Sequence, residues 1–334
     1  MQVLSQTSDD DTDWIPDPPT TMLSWLKKVQ EAESGATLET ELDPDSLSWF
    51  RDNFDIVTEM YRGKWELVDD KAIVTIPTIV HGAFLKELRR SLYNSARSRD
   101  LQIGSSTVPI YNGLKIPDLN IFDTRDPTQD GYGVPRVSFE VAYGESRTKL
   151  LWGLVRLVLG LDGHLRLAYG VNIHSPEMLH YLEIIAFASG GTGTLRGAKA
   201  KEFRHGKVYG RNGDGAWKIV PQSEPPEYKR LRMLTSEDEN DHTYVDCRFI
   251  GTWKITEEEG DIVIPGRSLF LDDEGDDLIL SGAQLWRDTQ KCIGLHRGIN
   301  AWKAERRGKG EPKRKIDGFE VDLQTLYHAK PQEV

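Results

Sequence analysis

The chain has very little cysteine. Cys247 and Cys292 are its two, and no CxxC spacing is present. That argues against a disulfide framework and a cysteine zinc site, and it suits a reducing compartment. Long apolar runs are also missing, since none approaches the ~18 residues that span a bilayer. The stretch Met1 to Asp13 is polar and acidic, without the basic start or apolar middle of a secretory signal. The expectation is an intracellular protein, cytoplasmic or nuclear, neither secreted nor engaged with a membrane. The scattered histidines form no H-x-x-x-H or H-E-x-x-H pair, which disfavours a zinc hydrolase, and no G-x-S-x-G motif supports an esterase. Positive charge is in deficit: 42 Lys and Arg against 53 Asp and Glu leave a net charge of -11. Such a balance counts against DNA binding over the whole surface, because that mode draws its affinity from phosphate neutralisation.

The chain nevertheless has the means to fold. Its 334 residues, 38% hydrophobic and 28% charged, are enough for one large domain or two ordinary ones. Residues 1–20 contain an acidic run followed by IPDPP and read as a disordered arm. Residues 21–60 read as a helical N-terminal segment, with Met22, Leu23, Trp25, Leu26 and Val29 at helical spacings and Asp43-Pro44-Asp45 opening a second helix. KWELVDDKAIVTIP reads as a hairpin around Asp69-Asp70. Thr78 to Arg97 places Val80, Phe84, Leu85, Leu88 and Leu92 on one helical face.

Three extended segments follow, LQIGSSTVPIY, LKIPDLNIF and PRVSFEVAY. Glu145 to Leu161 then reads as an amphipathic helix opened by Ser146, and LRLAYGVNI as a strand. The order predicts an α/β domain over residues 61–175, a mixed central sheet flanked by helices. Residues 176–334 read as a β-rich C-terminal unit. Within it the cluster GGTGTLRGAKAK lacks Walker spacing and reads as a flexible loop. Trp253, Trp286 and Trp302 read as core anchors.

Two acids in the extended segments carry the chemistry. Pro117-Asp118 opens the second, and Glu140 interrupts the largely apolar third. An unpaired charge inside an apolar strand is costly unless a metal or cation compensates it; the alternative is an edge strand with Glu140 facing water. Adjacent strands would set both carboxylates at one end of the sheet. Hydrolysis of a phosphodiester without a covalent intermediate needs a divalent cation held by such oxygens.

PDLNIF, followed by PRVSFEVAYGES and Lys149, resembles the signature of the PD-(D/E)XK, or restriction-endonuclease-like, superfamily. The Uma-type branch is the most similar, through Gly63-Lys64-Trp65-Glu66-Leu67, His81, Asp118 and Glu140-Val141 in order over about a third of the chain. The resemblance implies a metal-dependent nuclease with a restriction-endonuclease-like core and a β-rich C-terminal extension. It implies Mg²⁺ or Mn²⁺ held by Asp118, Glu140 and the carbonyl of Val141. The lysine two residues after the acid is replaced by Ala142, so Lys149 of the next helix is expected to supply the cation; a solvated helix lysine is the other reading. Glu145, His81 and Glu87 are further candidates, each with an ordinary reading as cap, structural histidine or surface acid. Lys303, Arg306, Arg307, Lys313, Arg314 and Lys315, in the basic run 303–315, are candidate nucleic-acid contacts, or else a solvated charged loop. The partner expected of an active enzyme is nucleic acid, and a homo-oligomer is left open. The rival expectation is a nuclease-derived binding or interaction protein that has lost catalysis.

Overall fold

The computed structural model describes residues 17–308, apart from 62, 98, 111–112, 126–133, 162–163, 175–179, 197–201, 236–240 and 271–274. The expected arm therefore lies almost wholly outside the described residues. The chain divides between Ile76 and Pro77 into two compact units.

The N-terminal unit contains α1 (Thr20–Glu31), β1 (Thr37–Glu41), α2 (Pro44–Asp52), α3 (Phe54–Met60), β2 (Lys64–Val68) and β3 (Lys71–Thr75). Asp43 caps α2 by accepting from the Ser46 amide at 2.9 Å. The β2–β3 hairpin turns at Asp69, whose φ of 56° is tolerated by a short polar side chain. Trp65 of β2 lies at its centre, edge-on to Trp25 at 5.6 Å and tilted against Phe50 at 5.8 Å. Two boundaries differ from expectation. The polar stretch before Leu42 holds β1, which pairs antiparallel with β3 from Thr37↔Thr75; its alternation is too weakly apolar to be visible locally. The hairpin also belongs with this unit rather than with the residues after it.

The second unit begins with α4 (Ile79–Ala96), capped by Thr78 and burying Val80, His81, Phe84, Leu88 and Leu92 on one face. Next come β4 (Leu101–Gly104), β5 (Val108–Ile110), β6 (Gly113–Lys115), β7 (Leu119–Asp123) and β8 (Val137–Tyr143). The helix α5 (Arg147–Gly160), capped by Ser146, leads to β9 (Leu167–Ile173) and β10 (Leu182–Arg196). The rest comprises β11 (Val208–Arg211), β12 (Lys218–Ile219), β13 (Arg230–Leu234), β14 (Asp241–Ile255), β15 (Ile262–Ile264), α6 (Gly266–Leu269), β16 (Leu278–Leu280) and α7 (Gly282–Gly308).

One nine-stranded sheet runs through this unit in the order β12-β11-β13-β14-β10-β9-β8-β7-β4. Strands β8 and β9 are parallel and joined by α5, whereas β7–β8, β9–β10 and β10–β14 are antiparallel. The fold is mixed α/β. Odd-numbered residues of β8 and β9, among them Phe139, Val141 and Tyr169, pack into the core with Phe84, Leu88 and Leu92 of α4. Even-numbered residues face α5: a Cβ on Gly170 would come within 2.8 Å of Leu154 and 3.2 Å of Leu150.

No division falls near residue 175, because β10 extends the same sheet directly from β9. Nor is the glycine cluster a loop as far as Arg196. Past a bulge at Gly190, Gly191 to Arg196 continue β10 and pair with β14, and a Cβ on Gly193 would lie 2.5 Å from the Tyr244 hydroxyl. Glycine there admits the tyrosine, a packing requirement rather than flexibility. Residues 197–201 of that cluster lie outside the described residues. Among the described residues no helix is long and apolar enough to cross a membrane.

Candidate functional site

Strands β7 and β8 pair from Ile121↔Val137 to Leu119↔Phe139. Asp118 immediately precedes β7, just beyond the paired residues, and Glu140 lies in β8 next to Phe139, the last partner of β7. Both acids are enclosed: the side chain of Asp118 is 5% exposed and that of Glu140 2%. Glu140 therefore does not face water, which removes the edge-strand reading.

Each carboxylate has partners within the protein. Asp118 Oδ2 accepts from the Val141 amide at 2.6 Å, and its Oδ1 lies 3.3 Å from His81 Nε2 in the first turn of α4. The Thr78 cap accepts from the amide of His81 and so holds that residue at the helix start. His81 Nδ1 is buried and has no hydrogen-bond partner among the described residues. The cation brought to Glu140 is Lys115 of β6, its Nζ 3.4 Å from Oε1 and its side chain 6% exposed. This ammonium lies under α5 beside Gly153, where a Cβ would just touch Nζ at 3.4 Å. Buried charge is retained only when paired in this way, since isolated ions lose several kcal/mol of hydration.

The polar layer continues under α5. Ser138 donates to Asn120 at 2.6 Å, both fully buried. Ala142 is paired with Asn172, which donates to Glu183 at 2.9 Å. Arg147 at the start of α5 donates to Glu183 at 2.7 Å and grips Glu227 with two bonds of 2.8 Å. The hydrogen bonds that Arg147 donates to Glu227 raise the Arg147 pKa, and the same bonds hold the Glu227 carboxyl below the usual glutamate value.

The other candidates are placed elsewhere. The ammonium of Lys149 is 3.7 Å from Glu145 and its side chain is 41% exposed, so these two form a surface i,i+4 pair; the cation beside Glu140 is Lys115 instead. Glu87 pairs with Arg90, which also reaches Asp288 of α7 at 3.8 Å. It lies near Cys292, whose thiol burial pushes up to about 11, with Glu87 adding to the rise. Lys303, Arg306 and Arg307 lie on α7; Lys313, Arg314 and Lys315 are outside the described residues. Trp253 and Trp286 pack partly buried against the core. Among the described residues no group of three or more His, Cys, Asp or Glu is disposed to hold a metal ion. The residues that sequence reasoning missed, Lys115, Arg147, Asn172 and Glu183, carry a partial signal: Lys115 and Glu183 interrupt apolar strands just as Glu140 does.

No family model matches the chain, and no curated protein matches it. Among solved structures, the N-terminal domain of STIL from Trichoplax adhaerens aligns at 12% identity over 52% of this chain and 82% of that one. The TM-score of 0.12 is too low to relate the two folds.

Proposed function

We propose that the chain is a metal-dependent nuclease, hydrolysing phosphodiester bonds in nucleic acid on a restriction-endonuclease-like core. The observation that carries this reading is the buried Lys115–Glu140 pair, which offers a cation where this chain has Ala142 in place of the motif lysine. The carboxylates of Asp118 and Glu140 and the carbonyl of Val141 would supply hard oxygen donors of the kind that hold Mg²⁺ or Mn²⁺, ions commonly bound through one or two carboxylates. Bound there, the ion would supply phosphate neutralisation and activation of water. Lys115 sets an ammonium 3.4 Å from the Glu140 carboxylate and would present positive charge to an incoming oxygen. His81 and the Val141 amide fix the orientation of Asp118.

Burial favours a second reading, a nuclease-derived binding protein without catalysis. His81, Lys115, Asp118 and Glu140 are each less than a tenth exposed by side chain, and their charges are compensated internally. Incubation of the purified chain with Mg²⁺ or Mn²⁺ and DNA or RNA separates the two. Cleavage is expected, lost in Glu140→Ala, reduced about 10²-fold or more in Lys115→Met, and kept in Lys149→Met. Cleavage that survives Glu140→Ala would sink the site; a folded chain that neither cleaves nor binds either ion in calorimetry supports the second reading.

A further inference from the structure

We propose that a groove on the opposite face of the sheet from Glu140 binds a nucleotide, either free or as part of a single strand. Glu140 pairs with Gly170, whose missing side chain would meet α5; the neighbouring Tyr169 points the other way and lines this groove. The cavity has a volume of about 720 Å³, within the range of roughly 300–1,000 Å³ of small-molecule sites.

Its depth comes from small side chains. Ala186 and Ala188 of β10 form part of the floor, opposite Tyr169 and Leu167 in the β9 register. Around them stand Arg166 before β9, Arg248 on β14 and Arg267 on α6. All three are exposed, and none makes a side-chain hydrogen bond or ion pair among the described residues. This sets them apart from Arg147 and Arg232, whose guanidinium groups are tied to carboxylates at 2.6–2.8 Å. Among the described lining residues Asp261 is the acid, and its Oδ1 is occupied by the Gly282 amide at 2.8 Å. On a chain of net charge -11, three arginines against one engaged aspartate form a local anion-attracting field.

The rest of the lining is apolar and accessible. Ile250 is 56% exposed and Val263 42%. Trp253 is half-buried, fixed by donation of Nε1 to the Asp261 carbonyl at 3.1 Å and by an edge-on contact with Tyr169 at 6.1 Å. Guanidinium groups recognise phosphate through paired, charge-assisted bonds, and a held indole provides a surface for a flat ring. A ligand carrying both phosphate and a planar apolar body meets both requirements.

The test is calorimetry and tryptophan fluorescence on the full chain in EDTA, so that binding is read without hydrolysis and apart from the metal site. The probes are AMP, ATP and a twelve-residue oligodeoxythymidine, at 0.15 M salt and again at low salt. At least one class of probe should bind, and Arg248→Ala and Arg267→Ala should each weaken it about tenfold or more. Binding of AMP or ATP identifies a free nucleotide; binding of the oligomer alone identifies a strand. The proposal is overturned if no probe binds, if both substitutions leave affinity unchanged, or if a long-chain fatty acid binds the groove more tightly than any nucleotide.

Discussion

Replacing Lys115 by methionine keeps most of the side-chain volume but leaves the Glu140 carboxylate without the ammonium 3.4 Å from it. The burial of the pair sets the scale of the effect. An exposed ion pair is worth about 0–1 kcal/mol, but these side chains are 6% and 2% exposed. Removing one member of a buried pair costs about 3–5 kcal/mol, because the remaining charge has lost its hydration and now lacks this partner. Glu140 can escape part of this cost by taking up a proton, which would raise its folded-state pKa above the unfolded one. Such a raised group favours the folded state at low pH and loses that advantage as pH rises through the folded value. The penalty of Lys115→Met should therefore grow from pH 5 to pH 8. The measurement is urea unfolding followed by circular dichroism, for the wild type, Lys115→Met, Glu140→Gln and the double variant. The double variant should recover much of the loss, giving a coupling energy of about 2 kcal/mol or more between neighbouring groups. A penalty under about 1 kcal/mol for Lys115→Met at pH 8, with additive single effects, would refute the idea that Lys115 compensates Glu140.

The Arg147–Glu227 pair predicts an acid dependence. Glu227 is held below its ordinary value of 4.5 chiefly by its hydrogen bonds to Arg147, so its contribution is complete above that pH and is lost as pH falls through the lowered folded value. The pair is about a third exposed, which limits the effect to about 1 kcal/mol or less; urea midpoints in an Arg147→Met, Glu227→Gln chain should fall less steeply below pH 4.5 than in the wild type. The cysteines predict chemical inertness. Burial raises the thiol pKa of Cys247 and pushes that of Cys292 up to about 11, so both should resist an aromatic disulfide reagent at pH 8 until the chain is denatured. Rapid reaction of either in the folded chain would contradict its burial.

The local elements were legible where chemistry and periodicity coincide. Thr78 and the spacing of Val80, Phe84, Leu88 and Leu92 specify α4; Ser146 opens α5; Asp69-Asp70 turns a hairpin. The apolar run around Glu140 marked a strand with a charge that needed compensation. Capping, turn geometry and amphipathic period are interactions between near neighbours, so they are written in consecutive residues. Tertiary structure alone decided which cation compensates Glu140. Lys149 was closer in sequence, but Lys115 is brought to Glu140 under α5, beside Gly153. It also decided that Gly190 to Arg196 form strand rather than loop, because only pairing with β14 and the approach of Tyr244 give those glycines a role. The continuity of the sheet past residue 175 and the arginine-rimmed groove likewise depend on strands far apart in the chain. Composition and motif determined which charges would have to be compensated; strand register, a long-range property, determined by which groups.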